Sequence, residues 1–187
     1  MPVVINGSGT ITPTSAVQPT GSILQVVQTI KKDTFSFTTT SGSVGEVSGD
    51  VTGLGVTITP SSASNKILLI ANVSMCNQAR VAYLYKDGSL MTGAIGDAAN
   101  DGNGNALLRA SMGVYSSSIN NSNVNSQYLD TAGGTSAITY TIRIGPTWAG
   151  SAVKTIYVNR CQYADEVYNN YRLARYMSTF TAMEIAV

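Results

Sequence analysis

Residues 21–40, GSILQVVQTIKKDTFSFTTT, and residues 51–70, VTGLGVTITPSSASNKILLI, decide the fold. Threonine, serine and other polar residues alternate there with Val, Ile, Leu and Phe, the period of two that sends successive side chains to opposite faces of a strand. Clusters of Gly, Asn, Asp and Ser punctuate the pattern, which continues through the rest of the chain. It predicts strands at 23–29, 34–40, 51–59, 66–75, 81–85, 90–95, 106–115, 126–130, 137–144, 153–158 and 178–187. Lys86-Asp-Gly-Ser89 reads as a tight hairpin turn, because Asp-Gly supplies the positive φ angles that such a turn needs. So many short strands in 187 residues do not fit one flat sheet, and a two-sheet sandwich is expected. One stretch is compatible with a helix: residues 164–175, ADEVYNNYRLAR, acidic at the start with Arg172 and Arg175 at the end, as the macrodipole favours. An ordered loop fits it equally well, since Asn169 and Asn170 sit in its middle. Long-period repeats and heptads are missing, which argues against a coiled-coil shaft within these residues.

The length fits one domain with a core of its own. Only 11% of residues are charged, against roughly 25% in typical soluble proteins. Ser and Thr supply about a fifth of the chain, so hydroxyls and amides carry its polarity. A net charge of +1 without basic blocks gives no electrostatic case for nucleic acid or for an anionic membrane as partner. No stretch approaches the ~20 apolar residues of a membrane span, and the first residues lack the charged start and apolar core of a signal peptide. Synthesis in a cytoplasm without export by its own address is the expectation.

The chain has no histidine, which removes the usual general base and the commonest transition-metal ligand. Cys76 and Cys161 lack CxxC spacing and read as two buried thiols, with a disulfide open only if their strands are neighbours. The loop at 96–105, GDAANDGNGN, gathers oxygens that calcium accepts, but counted from Asp97 its third position is Ala99 and its twelfth is Leu108, so it fails as an EF-hand. A surface loop is the plain reading of it. Ser151 and Lys154 match the Ser-x-x-Lys spacing, which brings lysine onto serine only on a helix; here it falls at a strand entrance. The acidic residues are scattered, the one adjacent pair being Asp165-Glu166, and no glycine cluster precedes a helix that could receive a phosphate. The chain therefore reads as a non-enzyme, with no catalytic residue, cofactor or metal assigned.

Two segments stand out as binding elements. Residues 1–20 hold Pro2, Pro13 and Pro19 among Gly, Ser and Thr, the composition of an extended arm before a sandwich domain at 21–187. Such an arm cannot offset its own ordering entropy, so a partner is expected to hold it through Val3, Val4, Ile5 and Ile11 paired along an edge strand. Tyr163, Tyr168, Tyr171 and Tyr176 crowd beside Arg172 and Arg175, the residue types that most often anchor interfaces. They read equally as a subunit interface or receptor-binding surface and as core-edge tyrosines with wet hydroxyls.

GSILQVVQTIKKDTFS at 21–36, VTGLGVTITPSSASNKIL at 51–68 and MEIA at 183–186 resemble modules of virion structural proteins and tail fibres of tailed phages, notably those of cyanobacteria and other aquatic bacteria. That resemblance implies an all-β jelly-roll sandwich of the tumour-necrosis-factor-like kind, assembled as a closed homotrimer through apolar strand faces. It implies a virion protein: a capsid decoration (cement) protein that binds the major capsid protein or another virion protein and stabilises the shell. The alternative is a receptor-binding tail-fibre tip that holds a host surface glycan through the Tyr/Arg segment and the Asn-rich loop at 116–125. With an arm of about twenty residues and no shaft, decoration is the favoured expectation.

Overall fold

Alternation in the sequence becomes eleven strands in this computed structural model, which describes residues 18–39, 47–76, 80–97, 109–114, 121–146, 153, 155–161 and 175–187. They are β1 (Ile23–Lys31), β2 (Phe35–Thr38), β3 (Gly55–Ile58), β4 (Lys66–Cys76), β5 (Arg80–Lys86), β6 (Ser89–Leu90), β7 (Met112–Val114), β8 (Asn121–Thr131), β9 (Ile138–Pro146), β10 (Thr155–Val158) and β11 (Ser178–Ile185). All the pairings between them are antiparallel.

Several strands share a row. β11 pairs residues 66–72 of β4 and β10 pairs Met75 and Cys76 on the same side, so β10 and β11 lie end to end. β1 pairs β11 and β2 pairs β10, which makes β1 and β2 one row broken at 32–34. The first sheet thus runs β1/β2, β11/β10, β4, β8. The second runs β3, β9, β5 and then β6/β7, both of which pair β5. Counted as eight rows in chain order, the first pairs the eighth, the second the seventh, the third the sixth and the fourth the fifth. That is the strand order of a jelly roll. The inner faces interdigitate in one core, where Val56, Ile58, Leu84, Ile142 and Ile144 of the second sheet meet Ile67, Leu69, Val73, Phe180 and Ala182 of the first.

Boundaries moved where side-chain burial broke the period. Residues 51–54 turn before β3 starts: Gly53 has φ +76°, Leu54 donates its N–H to the Val51 carbonyl at 3.0 Å, and Val51 and Leu54 are both buried. The strand expected at 90–95 stops at Leu90 and continues as a short 3₁₀ turn over Thr92–Ala94. A Cβ on Gly93 would stand 2.5 Å from the Tyr128 hydroxyl, so glycine permits that approach. Residues 121–125, expected in an Asn-rich loop, instead open β8, the whole of which pairs β4 from Asn121↔Cys76 to Thr131↔Lys66. Pairing along a long central neighbour overrides the poor strand propensity of asparagine. The Asp87-Gly88 hairpin forms as read, with φ +48° and +78°.

The row break is held by Asn159. Its backbone sits at φ +62°, and its side-chain amide donates to the carbonyls of Lys31 and Asp33 at 2.8 and 3.0 Å. Its Oδ1 accepts from the Ser178 hydroxyl at 2.7 Å, and Ser178 Oγ accepts from the Ser74 amide. One buried side chain therefore closes the gaps in both composite rows, and the chain leaves the sheet after Asn159 and rejoins the same row at Ser178.

Candidate assembly surface

In the first sheet, the residues that do not enter the core point outward in register. One row crosses all four strands as Val26, Met183, Leu68 and Leu129. The next is Gln28, Thr181, Ile70 and Gln127, and the third Ile30, Thr179, Asn72 and Asn125. Val26, Ile30 and Leu129 are each at least half exposed, at 54%, 50% and 52%. Among the described residues at these outward positions the only charged side chain is Lys66, and its Nζ donates to Thr131 Oγ1 at 2.8 Å. A shallow trough of about 460 Å³ runs along this face, lined by Val26, Gln28, Ile70, Asn72, Gln127 and Met183 among others. The surface is apolar at one end, rich in amides and hydroxyls toward the other, and shaped to be covered.

The second sheet is different. Its outward Val81, Tyr83 and Tyr85 on β5 are already buried, packed with Val47, Ile95 and Ala110. Arg143 lies over the Tyr85 ring at 4.0 Å and its Nε donates to Asp50 Oδ1 at 2.7 Å. The Arg143 hydrogen bond holds the Asp50 carboxyl below its ordinary range against partial burial, with Thr141 adding a second bond. Burial pushes the Tyr83 hydroxyl up.

Where the first sheet ends near Lys66, a set of polar clamps ties the loops down. Glu184 is 2% exposed and points inward from β11. Its Oε1 accepts from the Ser61 amide and hydroxyl, both at 2.7 Å, and from Asn65 Nδ2 at 2.6 Å. Burial pushes the carboxyl up, but the hydrogen bonds from Asn65 and Ser61 together outweigh it and hold the group below its ordinary value. Asn65 also accepts from the amides of Ala132 and Val187. Across the sandwich, Lys86 Nζ bonds Asp130 Oδ2 at 2.7 Å, and the Tyr140 hydroxyl donates to the same oxygen at 2.7 Å. Burial raises the Tyr140 pKa, and the bond to Asp130 raises it further. These groups are saturated by one another, as structural polar clusters are.

Of the interface candidates read from the sequence, Arg175 and Tyr176 fall in the described residues. Arg175 is exposed and forms a backbone bridge with Arg160, which is extended rather than helical geometry. Arg160 in turn lies over the Tyr157 ring at 4.4 Å. Tyr176 is half-buried, and its amide donates to the Asn159 carbonyl. Its hydroxyl pKa is raised by burial and by Cys161, which it hydrogen-bonds, with Cys76 adding to the effect. No disulfide joins the two cysteines; Cys76 is buried as expected, while Cys161 is only half-buried. Tyr163, Tyr168, Tyr171 and Arg172 lie outside the described residues, as do Val3, Val4, Ile5 and Ile11, most of the 96–105 loop, and Ser151 with Lys154. What the sequence reading missed is the outward apolar row. Its signal is the apolar pairs Val26-Val27 and Leu68-Leu69, which put hydrophobic side chains on both faces of one strand.

No family model matches the chain, and neither does any curated protein. Among solved structures it is similar to a chain described as "Structure of infectious bursal disease virus Gx strain", at 12% identity and a TM-score of 0.39. The alignment covers 94% of this chain and 41% of that one. A likeness at that level carries no argument about function, and the jelly-roll assignment stands on the strand order alone.

Proposed function

We propose that the chain is a virion structural protein: a homotrimeric capsid decoration protein that binds the major capsid protein or another virion protein and stabilises the head shell. The observation that carries this reading is the outward face of the first sheet, with an apolar row spanning four strands and one charged residue, Lys66. A patch of that kind on a chain with 11% charged residues is suited to burial against copies of itself. The resemblance of its sequence motifs to tailed-phage modules supports that setting. Every strand among the described residues lies beyond Gly21, so in this reading the sandwich supplies the trimer and the arm supplies attachment.

Immunolabelling of virions tests the placement. Label over the whole head is the expected result, and label confined to the tail overturns decoration in favour of the receptor-binding fibre tip. A protein beginning at Gly21 tests the arm: it loses only the Ser22 amide bond to the Pro19 carbonyl from the described structure. It should form trimers as well as the full chain and fail to co-sediment with particles that lack the protein. Equal co-sedimentation of both forms would show that the sandwich body makes the attachment.

A further inference from the structure

We infer that the two ends of the sandwich have separate tasks, and that the end built around Glu184, Asn65 and the Lys86–Asp130 pair is the face that sits on the particle. This inference rests on the proposed trimer and particle attachment and assigns their orientation.

Register places these elements together. Ile23, Ile185, Lys66 and Thr131 lie side by side at the start of β1, the end of β11, the start of β4 and the end of β8. The Lys86–Asp130 bond brings the end of β5, and with it the Asp87-Gly88 turn, to the same end. The chain enters the described structure here: the Gly21 amide donates to the Ala186 carbonyl at 2.8 Å and the Ala186 amide to the Ser22 carbonyl at 2.9 Å. Whatever precedes Gln18 departs from this end, next to Val187.

The loops at this end are fixed to each other. The Gly133 amide donates to the Ala63 carbonyl, the Ala132 amide to the Asn65 carbonyl, and the Thr139 amide to Asp87 Oδ1. Among the described residues here, Lys86 is paired to Asp130, Glu184 is saturated by Ser61 and Asn65, and Lys66 is bonded to Thr131. What is left on the surface is the hydroxyls of exposed Ser64, Thr135 and Ser136, the apolar side chains of Ile23 and Val187, 60% and 62% exposed, and one carboxylate, Asp87, whose Oδ1 accepts from the Thr139 amide. A rigid surface that carries few charges and two exposed apolar side chains loses little entropy on docking and suits a protein partner.

A closed threefold ring points every subunit the same way along its axis. Three such ends, each with a described chain start at Gln18, then lie on one side of the trimer, so attachment at one end works at the effective concentration set by the other two.

Site-specific photocrosslinkers at Ser64, at Thr135 and at Thr38, an exposed residue of β2 on the opposite end, test the orientation on full-length trimers mixed with particles assembled without the protein. Crosslinks to a particle protein are expected from Ser64 and Thr135, with at least a tenfold lower yield from Thr38. The reverse ranking, or equal yields, overturns the orientation while leaving decoration standing. Failure of the unsubstituted protein to co-sediment with the same particles overturns both.

Discussion

Val26→Asp and Leu129→Glu should each convert the proposed trimer to monomers at micromolar concentration, read by light scattering, while the strand signal in circular dichroism is kept. The two residues sit at opposite edges of the first sheet and are 54% and 52% exposed in the single chain. At such positions a substitution ordinarily changes the stability of the subunit by only about 0.5 kcal/mol. In a closed assembly the same carboxylate would be buried without a partner, which costs about 3–5 kcal/mol. That amounts to roughly a hundredfold or more in affinity at every interface. Leu90→Glu serves as the control: Leu90 is also exposed, at 37%, but belongs to the second sheet, and its substitution should leave the trimer intact. Trimers that persist in both Val26→Asp and Leu129→Glu would show that another surface holds the subunits.

Glu184→Ala should be the most destabilising single change at the clamped end. The carboxylate is the common acceptor for Ser61 and for Asn65, and Asn65 is itself 4% exposed. Leaving the buried Asn65 amide without its acceptor costs about 1–3 kcal/mol, while exposed Ser61 can turn to water. A loss of about 3 kcal/mol corresponds to a fall of roughly 6–12 °C in thermal midpoint for a domain of this size. The pH dependence has a definite sign. Because the folded-state pKa is held below the ordinary 4.5, the carboxylate's contribution is complete above that value and is lost as pH falls through the folded-state pKa. Thermal melts from pH 6 down to pH 3 should show the parent protein losing stability faster than Glu184→Ala. Equal slopes for the two proteins would mean that this carboxyl is not the acid-sensitive element. The Ser61 and Asn65 of TPSSASNKIL and the Glu184 of MEIA, far apart in the chain, are thus one hydrogen-bonded unit.

Legibility in the sequence followed how local each determinant is. β1, β4, β9 and β11 were readable because burial on one face imposes period two over eight or more residues. The Asp87-Gly88 turn was readable because its φ angles need particular residues. β8 was half missed: Asn121, Asn123 and Asn125 look like loop residues, and only the eleven-residue register with β4 holds them extended. β10 and β11 were read as separate strands at 153–158 and 178–187, but that they lie end to end in one row was invisible, since it depends on Asn159 reaching Lys31, more than a hundred residues away in the chain.

Composition and periodicity alone establish that this is an all-β sandwich, that its polarity rests on hydroxyls and amides, and that histidine chemistry is closed to it. These follow from composition and period, which act residue by residue. Only the tertiary structure decided which strands neighbour one another, and therefore that Val26, Met183, Leu68 and Leu129 line up as one apolar row and that both ends of the described chain leave the sandwich together. Period two says that a residue faces one side or the other, but not which side is the core. That choice is made when two sheets close over a shared interior, and the apolar side chains left outside are what the trimer reading rests on.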